Sequence, residues 1–249
     1  MILVRIRLLT MQIENALKML SPRGVNFLSS SSNTSLDKIK PGDVLLALSM
    51  ASAKASLGIN ILLAKLVEGG RYQENAIVSL MQFIEQNVPD RIRKAGGASF
   101  MACNRLLAQF VLMDYCRSAA SSCYCPQCMG KGRLSQPTDE GSRVTICPRC
   151  AGKGSITARC RCGGRGEIQD RKLSRERGVP IYKKCERCSG RGYALLPSTM
   201  VYGAIKEVLP DLHARSWSRN WKPFYEYTIA HCYKEEGVAR RAFREVMNG

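Results

Sequence analysis

The stretch that decides the fold reads Cys125-Pro-Gln-Cys128-Met-Gly130-Lys-Gly132, and three similar segments follow it. The later copies are Cys147-Pro-Arg-Cys150-Ala-Gly152-Lys-Gly154, Cys160-Arg-Cys162-Gly-Gly164-Arg-Gly166 and Cys185-Glu-Arg-Cys188-Ser-Gly190-Arg-Gly192. The two cysteines of a copy can bind one ion through their thiolates, and the glycines let the chain fold back so that backbone N–H groups point at sulfur. Each copy supplies half of a tetrahedral site. The four copies therefore predict two structural zinc sites with no open coordination position.

The spacing of the copies along the chain favours a nested pairing. Copies two and three are close together, and copies one and four flank them. In this arrangement Cys147, Cys150, Cys160 and Cys162 bind an inner zinc, and Cys125, Cys128, Cys185 and Cys188 bind an outer zinc. Sequential pairing, copy one with two and three with four, is the alternative. Cys123 is a further candidate ligand for the outer site.

Metal binding explains these cysteines better than oxidation does. The chain shows no secretory signal, which indicates a reducing cytosol, where such spacing is typical of metal sites rather than disulfides. A redox dithiol needs one CxxC pair, not four. The same cysteine–glycine motif occurs in the zinc region of DnaJ-type co-chaperones. This chain resembles them only locally, since it lacks their His-Pro-Asp tripeptide and Gly/Phe-rich linker.

The charge of the chain predicts a polyanionic partner. The formal net charge is +18, and residues 123–192 hold 16 Lys and Arg against 6 Asp and Glu. Such an excess is typical of nucleic-acid binding, although a merely soluble basic surface would also produce it. The segments 133–146 and 167–184 have the length of hairpin arms. In the second of them, Arg171, Lys172 and Arg175 are candidate DNA contacts.

The remaining sequence predicts a mostly α-helical fold in four parts. Residues 1–42 are expected to be a flexible arm, in which Met11 is an alternative translation start. Residues 43–122 form a helical body with helices at about 43–68, 73–87 and 98–119. Residues 123–192 are the double zinc insertion, and residues 193–249 complete the body. No transmembrane span is expected, because polar residues interrupt the apolar stretch 44–67.

The last part contains a candidate helix-turn-helix. A helix at 198–209 is followed by a short turn at 211–215 and a second helix that starts at Ser216. Its aromatic stripe is expected to be buried: Trp217, Trp221, Phe224, Tyr225, Thr228 and Cys232. Its polar face carries Ser218, Arg219 and Lys222, which with the less secure Asn220 are the candidate DNA-reading residues. A solvated face is the simpler interpretation of the same pattern.

The chain resembles the late-gene antitermination protein Q family of lambdoid phages. The segments that carry the resemblance are 114–120, the cysteine copies, Gly192-Tyr193 with Pro197-Ser198, Trp217-Ser-Arg219 with Lys222-Pro223, and 232–236. The resemblance implies a DNA-binding transcription factor and not an enzyme. The family pattern has one four-cysteine motif beside a helix-turn-helix, so copies two and three look like an insertion into it, which supports nesting.

The resemblance also implies the partners. Family members bind double-stranded DNA at a late promoter element, load onto host RNA polymerase with its sigma factor at a promoter-proximal pause, and make it read through terminators. Nascent RNA is a further candidate partner, whereas a membrane and a small-molecule substrate are not expected. The expected location is the bacterial cytoplasm. The alternatives are a zinc-dependent helix-turn-helix regulator and, less well supported, a co-chaperone fragment.

Overall fold

A computed structural model describes residues 12–20, 39–67, 70–125, 127–138 and 141–248, and most of these residues are helical. The helices, in chain order, are α1 (Ile13–Met19), α2 (Pro41–Lys54), α3 (Ser56–Leu66), α4 (Gly70–Asn87), α5 (Asp90–Gly96), α6 (Phe100–Tyr115), α7 (Arg171–Arg177), α8 (Ser198–Val208), α9 (Ala214–Ser216) and α10 (Lys222–Asn248). The strands are β1 (Ser122–Tyr124), β2 (Arg133–Thr138), β3 (Gly141–Ile146), β4 (Ser155–Thr157), β5 (Glu167–Gln169) and β6 (Tyr182–Lys184). Among the described helices, none is both long and apolar enough to cross a membrane.

The chain divides into two compact units. The helical unit consists of Met1–Cys116 and Ser198–Gly249, and the cysteine-rich unit is Arg117–Pro197. The chain thus leaves the helical unit after α6 and returns to it at α8, so residues distant in sequence complete one core.

The prediction of a flexible arm over residues 1–42 is wrong for its described part around α1. Ile13 and Ala16 are buried there in a cluster with Val44, Ala47 and Phe243. Glu14 also forms an ion pair with Arg240 of α10. This short helix therefore gains its order from the apolar contacts of one face, as short helices generally must. Residues 1–11 and 21–38 of the predicted arm lie outside the described residues.

The predicted helix at 43–68 is two helices, because the backbone leaves the helical region at Ala55 (φ −142°, ψ 56°). Both α2 and α3 contact α10. In α3 the closest approach falls at Gly58, where a Cβ atom would collide with the carbonyl oxygen of Glu235. Glycine is needed at this crossing because the α10 backbone occupies the space of a side chain. The predicted start also moves, from Asp43 to Pro41, and the Asp43 carboxylate accepts a hydrogen bond of 2.8 Å from the Lys40 N–H.

The main core joins α3, α4, α6, α8 and the C-terminal helix. Leu80, Ile84 and Leu107 are buried in it together with Trp221. Met113, which was expected to be a buried position of α6, is instead exposed. α6 ends at Tyr115 rather than near residue 119, and α5 was not predicted. Ile92 of α5 is buried, so this short helix adds to the same core.

A polar network at Glu236 ties the C-terminal helix to the rest of the helical unit. Its carboxylate accepts a hydrogen bond of 2.7 Å from the Tyr115 hydroxyl and pairs with Lys65 at 3.3 Å and Arg240 at 2.6 Å. Burial raises the pKa of Glu236, but these hydrogen bonds and charges outweigh it and hold the pKa below its usual value. The carboxylate is therefore charged and satisfied in the folded protein.

The C-terminal helix runs without a break over 214–248 and contains one π-helical turn, Trp217–Trp221. In this turn the Lys222 N–H donates to the Trp217 carbonyl, five residues back. Pro223 follows directly, and proline cannot donate a helical hydrogen bond and crowds the carbonyl four residues earlier. The π-turn widens the helix at this point, which accommodates the proline. The helix begins at Ala214, two residues before the predicted start.

The described residues of the cysteine-rich unit form three antiparallel strand pairs. β2 pairs with β3 as a hairpin, which confirms the predicted arm at 133–146. β5 pairs with β6, and α7 lies between them, so the second predicted arm is strand–helix–strand. The Asp170 carboxylate caps α7 by accepting from the N–H groups of Lys172 and Leu173. β1, which precedes copy one, pairs with β4, which follows copy two.

Candidate metal centres and nucleic-acid interface

The eight cysteines of the four copies form two clusters, and the clusters pair the copies sequentially. The first contains Cys125, Cys128, Cys147 and Cys150, and the second contains Cys160, Cys162, Cys185 and Cys188. The nested pairing predicted from the spacing is therefore wrong.

The reason for sequential pairing is a reciprocal backbone contact between two adjacent copies. In the first cluster the Cys125 N–H donates to the Gly154 carbonyl at 2.8 Å, and the Cys147 N–H donates to the Gly132 carbonyl at 2.9 Å. In the second, the Cys160 N–H donates to Gly192 at 2.9 Å and the Cys185 N–H to Gly166 at 2.8 Å. Each cluster is thus a two-fold repeat of one copy. The segment after copy two pairs with β1, which precedes copy one, and so extends the contact between copies one and two.

The last glycine of each copy is required by this close packing. A Cβ atom at Gly132 would collide with the Gly152 carbonyl oxygen, and one at Gly154 with that of Gly130. The second cluster repeats the arrangement at Gly166 and Gly192. These glycines also have φ between +70° and +80°, which L side chains rarely adopt. The glycines of the motif therefore serve the pairing of copies as well as the turn around sulfur.

The geometry of each cluster fits a tetrahedral metal ion. The Sγ atoms of Cys125 and Cys147 are 3.8 Å apart, those of Cys128 and Cys150 3.7 Å, and the corresponding pairs of the second cluster 3.9 Å. A tetrahedron with Zn–S bonds of about 2.3 Å has S···S edges of about 3.8 Å, whereas a disulfide needs about 2.05 Å. Two clusters that could hold metal ions are therefore present, and their thiolate ligands suit zinc.

Backbone N–H groups close to the cysteine sulfur atoms stabilise the negatively charged thiolate form. The N–H groups of Gly132, Gly166 and Gly192 lie 3.2–3.4 Å from a cysteine Sγ of their own copy. Burial raises the pKa of Cys125, but hydrogen bonds from backbone N–H groups outweigh it and lower the pKa to about 7. The pKa of Cys162 is lowered to about 7 in the same way. The lowered pKa of Cys125 and Cys162 favours the thiolate form, which is the form that binds metal.

The other four cysteines belong to neither cluster. Cys123 is exposed on β1, where its thiol donates to the Ile156 carbonyl at 3.8 Å, so it is not a ligand in this arrangement. Cys103 and Cys232 are buried and Cys116 is half-buried in the helical unit. Burial raises the pKa of Cys116 to about 11 and that of Cys232 to about 12, so these thiols stay protonated and act as apolar side chains.

The basic residues predicted between copies three and four lie on α7. Arg171, Lys172 and Arg175 are exposed on this short helix. Hydrogen bonds between the Ser174 hydroxyl and the backbone of Ile181 hold the helix against the segment before β6. The three side chains are therefore presented from a defined backbone.

The predicted DNA-reading residues lie at the start of the C-terminal helix. Ser218 and Arg219 are exposed, whereas Asn220 and Lys222 are half-buried. The predicted apolar stripe is confirmed: Trp217, Trp221, Phe224, Tyr225, Thr228 and Cys232 are all buried. Arg219 makes no ion pair or hydrogen bond with the described residues, while Lys222 pairs with Glu226 at 3.8 Å.

Two shallow clefts meet at Arg219 and add residues that the sequence did not single out. One is lined by Asn87, Arg91 and Tyr227 with Asn220, and the other by His213, which precedes α9, and by Arg215 within α9. Arg91 and Arg215 are exposed. Only the tertiary fold brings Arg91 here, because it lies on α5, far from the helix in sequence. The surface around Arg219 is consequently basic and concave.

Comparison with known proteins agrees with the resemblance seen in the sequence. A family described as Antitermination protein Q matches residues 154–240, a range that includes copies three and four together. Antitermination protein Q of Escherichia phage HK022 and that of Escherichia phage lambda are each 29% identical over 233 residues, covering 92% of this chain and 96% of theirs. The prophage antitermination protein Q homolog QuuQ of Escherichia coli K12 is 29% identical over 95% of this chain and 99% of its own.

These relatives are named for the regulation of transcription, not for catalysis, which confirms the expectation that the chain is not an enzyme. The clusters also correct the sequence interpretation of the insertion, because copies three and four, not one and four, form a single site. The chain is similar to the phage antitermination protein Q over nearly its whole length.

Proposed function

We propose that this protein is a phage transcription antitermination factor. It binds DNA at a late promoter, loads onto host RNA polymerase that still holds its sigma factor at a promoter-proximal pause, and makes the polymerase read through terminators. The observation that carries this proposal is the similarity to antitermination protein Q over more than nine-tenths of the chain. The protein acts in the cytoplasm of the bacterial host.

The DNA-reading surface is the beginning of the C-terminal helix, as the second helix of a helix-turn-helix. α8 and the turn before Ala214 precede it, and its first turns expose Arg215, Ser218 and Arg219. Trp217 and Trp221 are buried beneath and fix the helix in the core. The N-terminal residues of a second helix are those that reach base edges in the major groove.

Arg219 is the base-reading residue, assisted by Ser218 and Asn220, and Lys222 binds phosphate. The Arg219 guanidinium can donate two hydrogen bonds to guanine O6 and N7, and no carboxylate among the described residues competes for it. Arg219→Ala should weaken binding to the late-promoter element by about 1–3 kcal/mol, roughly 5- to 150-fold, with little effect on random DNA. Fluorescence anisotropy with both DNAs measures this difference.

Arg241→Ala is the matched control, because Arg241 is also exposed but lies near the other end of α10. It should leave the preference for the element unchanged. Normal binding of the element by the Arg219→Ala protein would contradict the assignment. An equal loss on every DNA sequence would instead make Arg219 a phosphate contact.

The two cysteine clusters each bind one structural Zn²⁺, two per chain. Their S···S distances and their sulfurs, which are buried in seven of the eight cysteines, support this assignment. Arg171, Lys172 and Arg175, on α7 beside the second cluster, contact the DNA backbone without reading its sequence. Metal analysis of the purified protein should give two zinc ions per chain.

A transcription assay through a terminator tests the function itself. With purified polymerase and a template that carries the cognate late promoter, the protein should increase terminator read-through, and Arg219→Ala should reduce the increase. A simple helix-turn-helix regulator would footprint the same DNA with no dependence on polymerase and would not change read-through.

A further inference from the structure

The residue immediately before each cysteine copy occupies an equivalent place in both clusters. It pairs across the strands with the residue that follows the partner copy: Tyr124 with Ser155, Ile146 with Arg133, Arg159 with Tyr193, and Lys184 with Glu167. Its side chain also lies over the first glycine of the Gly-x-Gly segment of its own copy: Tyr124 over Gly130, Ile146 over Gly152, Arg159 over Gly164, and Lys184 over Gly190. We call these four positions the covering residues.

The covering residues differ in chemistry between the two clusters. In the first module (residues 122–157) they are Tyr124 and Ile146, which are 83% and 68% exposed. In the second module (residues 158–193) they are Arg159 and Lys184, both exposed. The same backbone frame therefore displays apolar groups in one module and cations in the other.

The overall charge follows the same division. The first module has 5 Lys and Arg against 2 Asp and Glu, whereas the second has 11 against 4. A zinc ion with four thiolates would add the same net charge of about −2 to each. Only the second module then keeps a strongly positive charge, which distinguishes it as the module suited to a polyanion.

The cations of the second module are available to a ligand. All eleven are exposed: Arg159, Arg161, Arg165, Arg171, Lys172, Arg175, Arg177, Lys183, Lys184, Arg187 and Arg191. Among the described residues of this module there is one ion pair, between Lys183 and Asp170 at 3.5 Å. Glu167 lies across the strands from Lys184 without forming an ion pair with it.

We infer that the second module, and not the first, is a nucleic-acid backbone site in which Arg159 and Lys184 bind phosphates alongside the cations of α7. This inference deepens the proposed function, since it names the partner of one module, and it rests on that function only for the presence of a nucleic acid. The shared chemistry is the phosphodiester backbone, which duplex DNA and single-stranded RNA both present.

The test measures the salt dependence of binding by the full-length, zinc-loaded protein. The two probes are a random-sequence DNA duplex and a single-stranded RNA of the same length. Each lost phosphate contact lowers the slope of log K against log salt by about 0.9 on duplex DNA and about 0.7 on a single strand. Arg159→Ala/Lys184→Ala should therefore lower the slope by about 1.8 on DNA or about 1.4 on RNA, according to which probe the module binds.

The matched control is Lys131→Ala/Lys153→Ala, which removes two exposed charges from the corresponding copies of the first module. It should leave both slopes unchanged. An equal fall in slope for the control would overturn the inference, because the effect would then be general charge. So would unchanged slopes for Arg159→Ala/Lys184→Ala on both probes, with zinc content and circular dichroism intact.

These outcomes are independent of the proposed function. If the wild-type protein gives no terminator read-through while the slope still falls for Arg159→Ala/Lys184→Ala alone, the antitermination proposal fails and the backbone site stands. If read-through is normal and the slopes are unchanged, the backbone site fails and the antitermination proposal stands.

Discussion

Substitution of Gly132 tests whether the reciprocal contact between copies holds each cluster together. In Gly132→Ala the new methyl group would collide with the Gly152 carbonyl oxygen, and the backbone has φ +73°. A left-handed conformation costs alanine roughly 1–2 kcal/mol. Moving the two copies apart also weakens the hydrogen bond from the Cys147 N–H to the Gly132 carbonyl, which contributes about 1 kcal/mol. Metal affinity of the first cluster should fall by about 2–3 kcal/mol, roughly 30- to 150-fold.

Gly152→Ala is the control that separates conformation from contact. Gly152 has φ +83°, but a Cβ atom there would meet only the Ile146 side chain, at 3.5 Å. This variant should lose only the conformational part, roughly 1–2 kcal/mol, about 5- to 30-fold in affinity.

Titration with Co²⁺, followed by the thiolate-to-metal absorption band, measures both sites in one experiment. In Gly132→Ala, half of the band should appear at higher metal concentration and the other half should be unchanged, because the second cluster shares no residue with the first. Equal affinities for the two alanine variants would refute the role of the contact. Weakening of both halves of the band in Gly132→Ala would refute the independence of the clusters.

Two further predictions concern the helical unit. Glu236→Gln should lower the free energy of unfolding by roughly 2 kcal/mol at pH 7, since the amide keeps the shape but loses the charge that pairs with Arg240. Because the folded-state pKa of Glu236 is lowered, the extra unfolding free energy of the wild-type protein is fully present above the ordinary pKa of about 4.5 and is lost as the pH falls through the folded-state pKa. Denaturant titrations that show the same difference in unfolding free energy at pH 7 and at pH 3 would contradict this. Gly58→Ala should destabilise the protein by about 2 kcal/mol or more, because the methyl group collides with the Glu235 carbonyl of α10. Gly237→Ala, a helix position with open space, should instead stabilise it by up to about 1 kcal/mol, so thermal melts in which both variants shift in the same direction would count against the packing argument.

Periodicity and composition were sufficient for much of the helical unit. The stripe from Trp217 to Cys232 was predicted correctly because a helix that packs on one side must repeat its apolar residues every three or four positions. The π-turn at Trp217–Trp221 was not predicted, although a regular helix tolerates a proline such as Pro223 poorly. The break at Ala55 could not be read from the sequence either, because alanine is a good helix former and tertiary contacts with α10 decide the local geometry.

For the candidate sites, residue types were predictable and partners were not. The cysteine–glycine motif identifies all eight cysteines of the clusters, since every copy needs thiolates to bind metal and flexible glycines to turn around them. The pairing of the copies depends on which carbonyl groups accept hydrogen bonds from the Cys125 and Cys147 N–H groups. The spacing of the copies along the chain does not show which carbonyl groups these are. The position of Arg91 beside Arg219 likewise follows from the packing of α5 and not from any local pattern.

The two-fold construction of each cluster limits how such a protein can change its length. One copy alone offers two sulfurs and a cysteine N–H whose acceptor, a glycine carbonyl, lies in another copy. Insertion or deletion of a single copy would leave that donor and two thiols unmatched, whereas gain or loss of a whole pair leaves the other pair complete. The boundary for such an exchange lies between Thr157 and Arg159, where one pair ends and the next begins. The number of copies in related chains is therefore expected to be even.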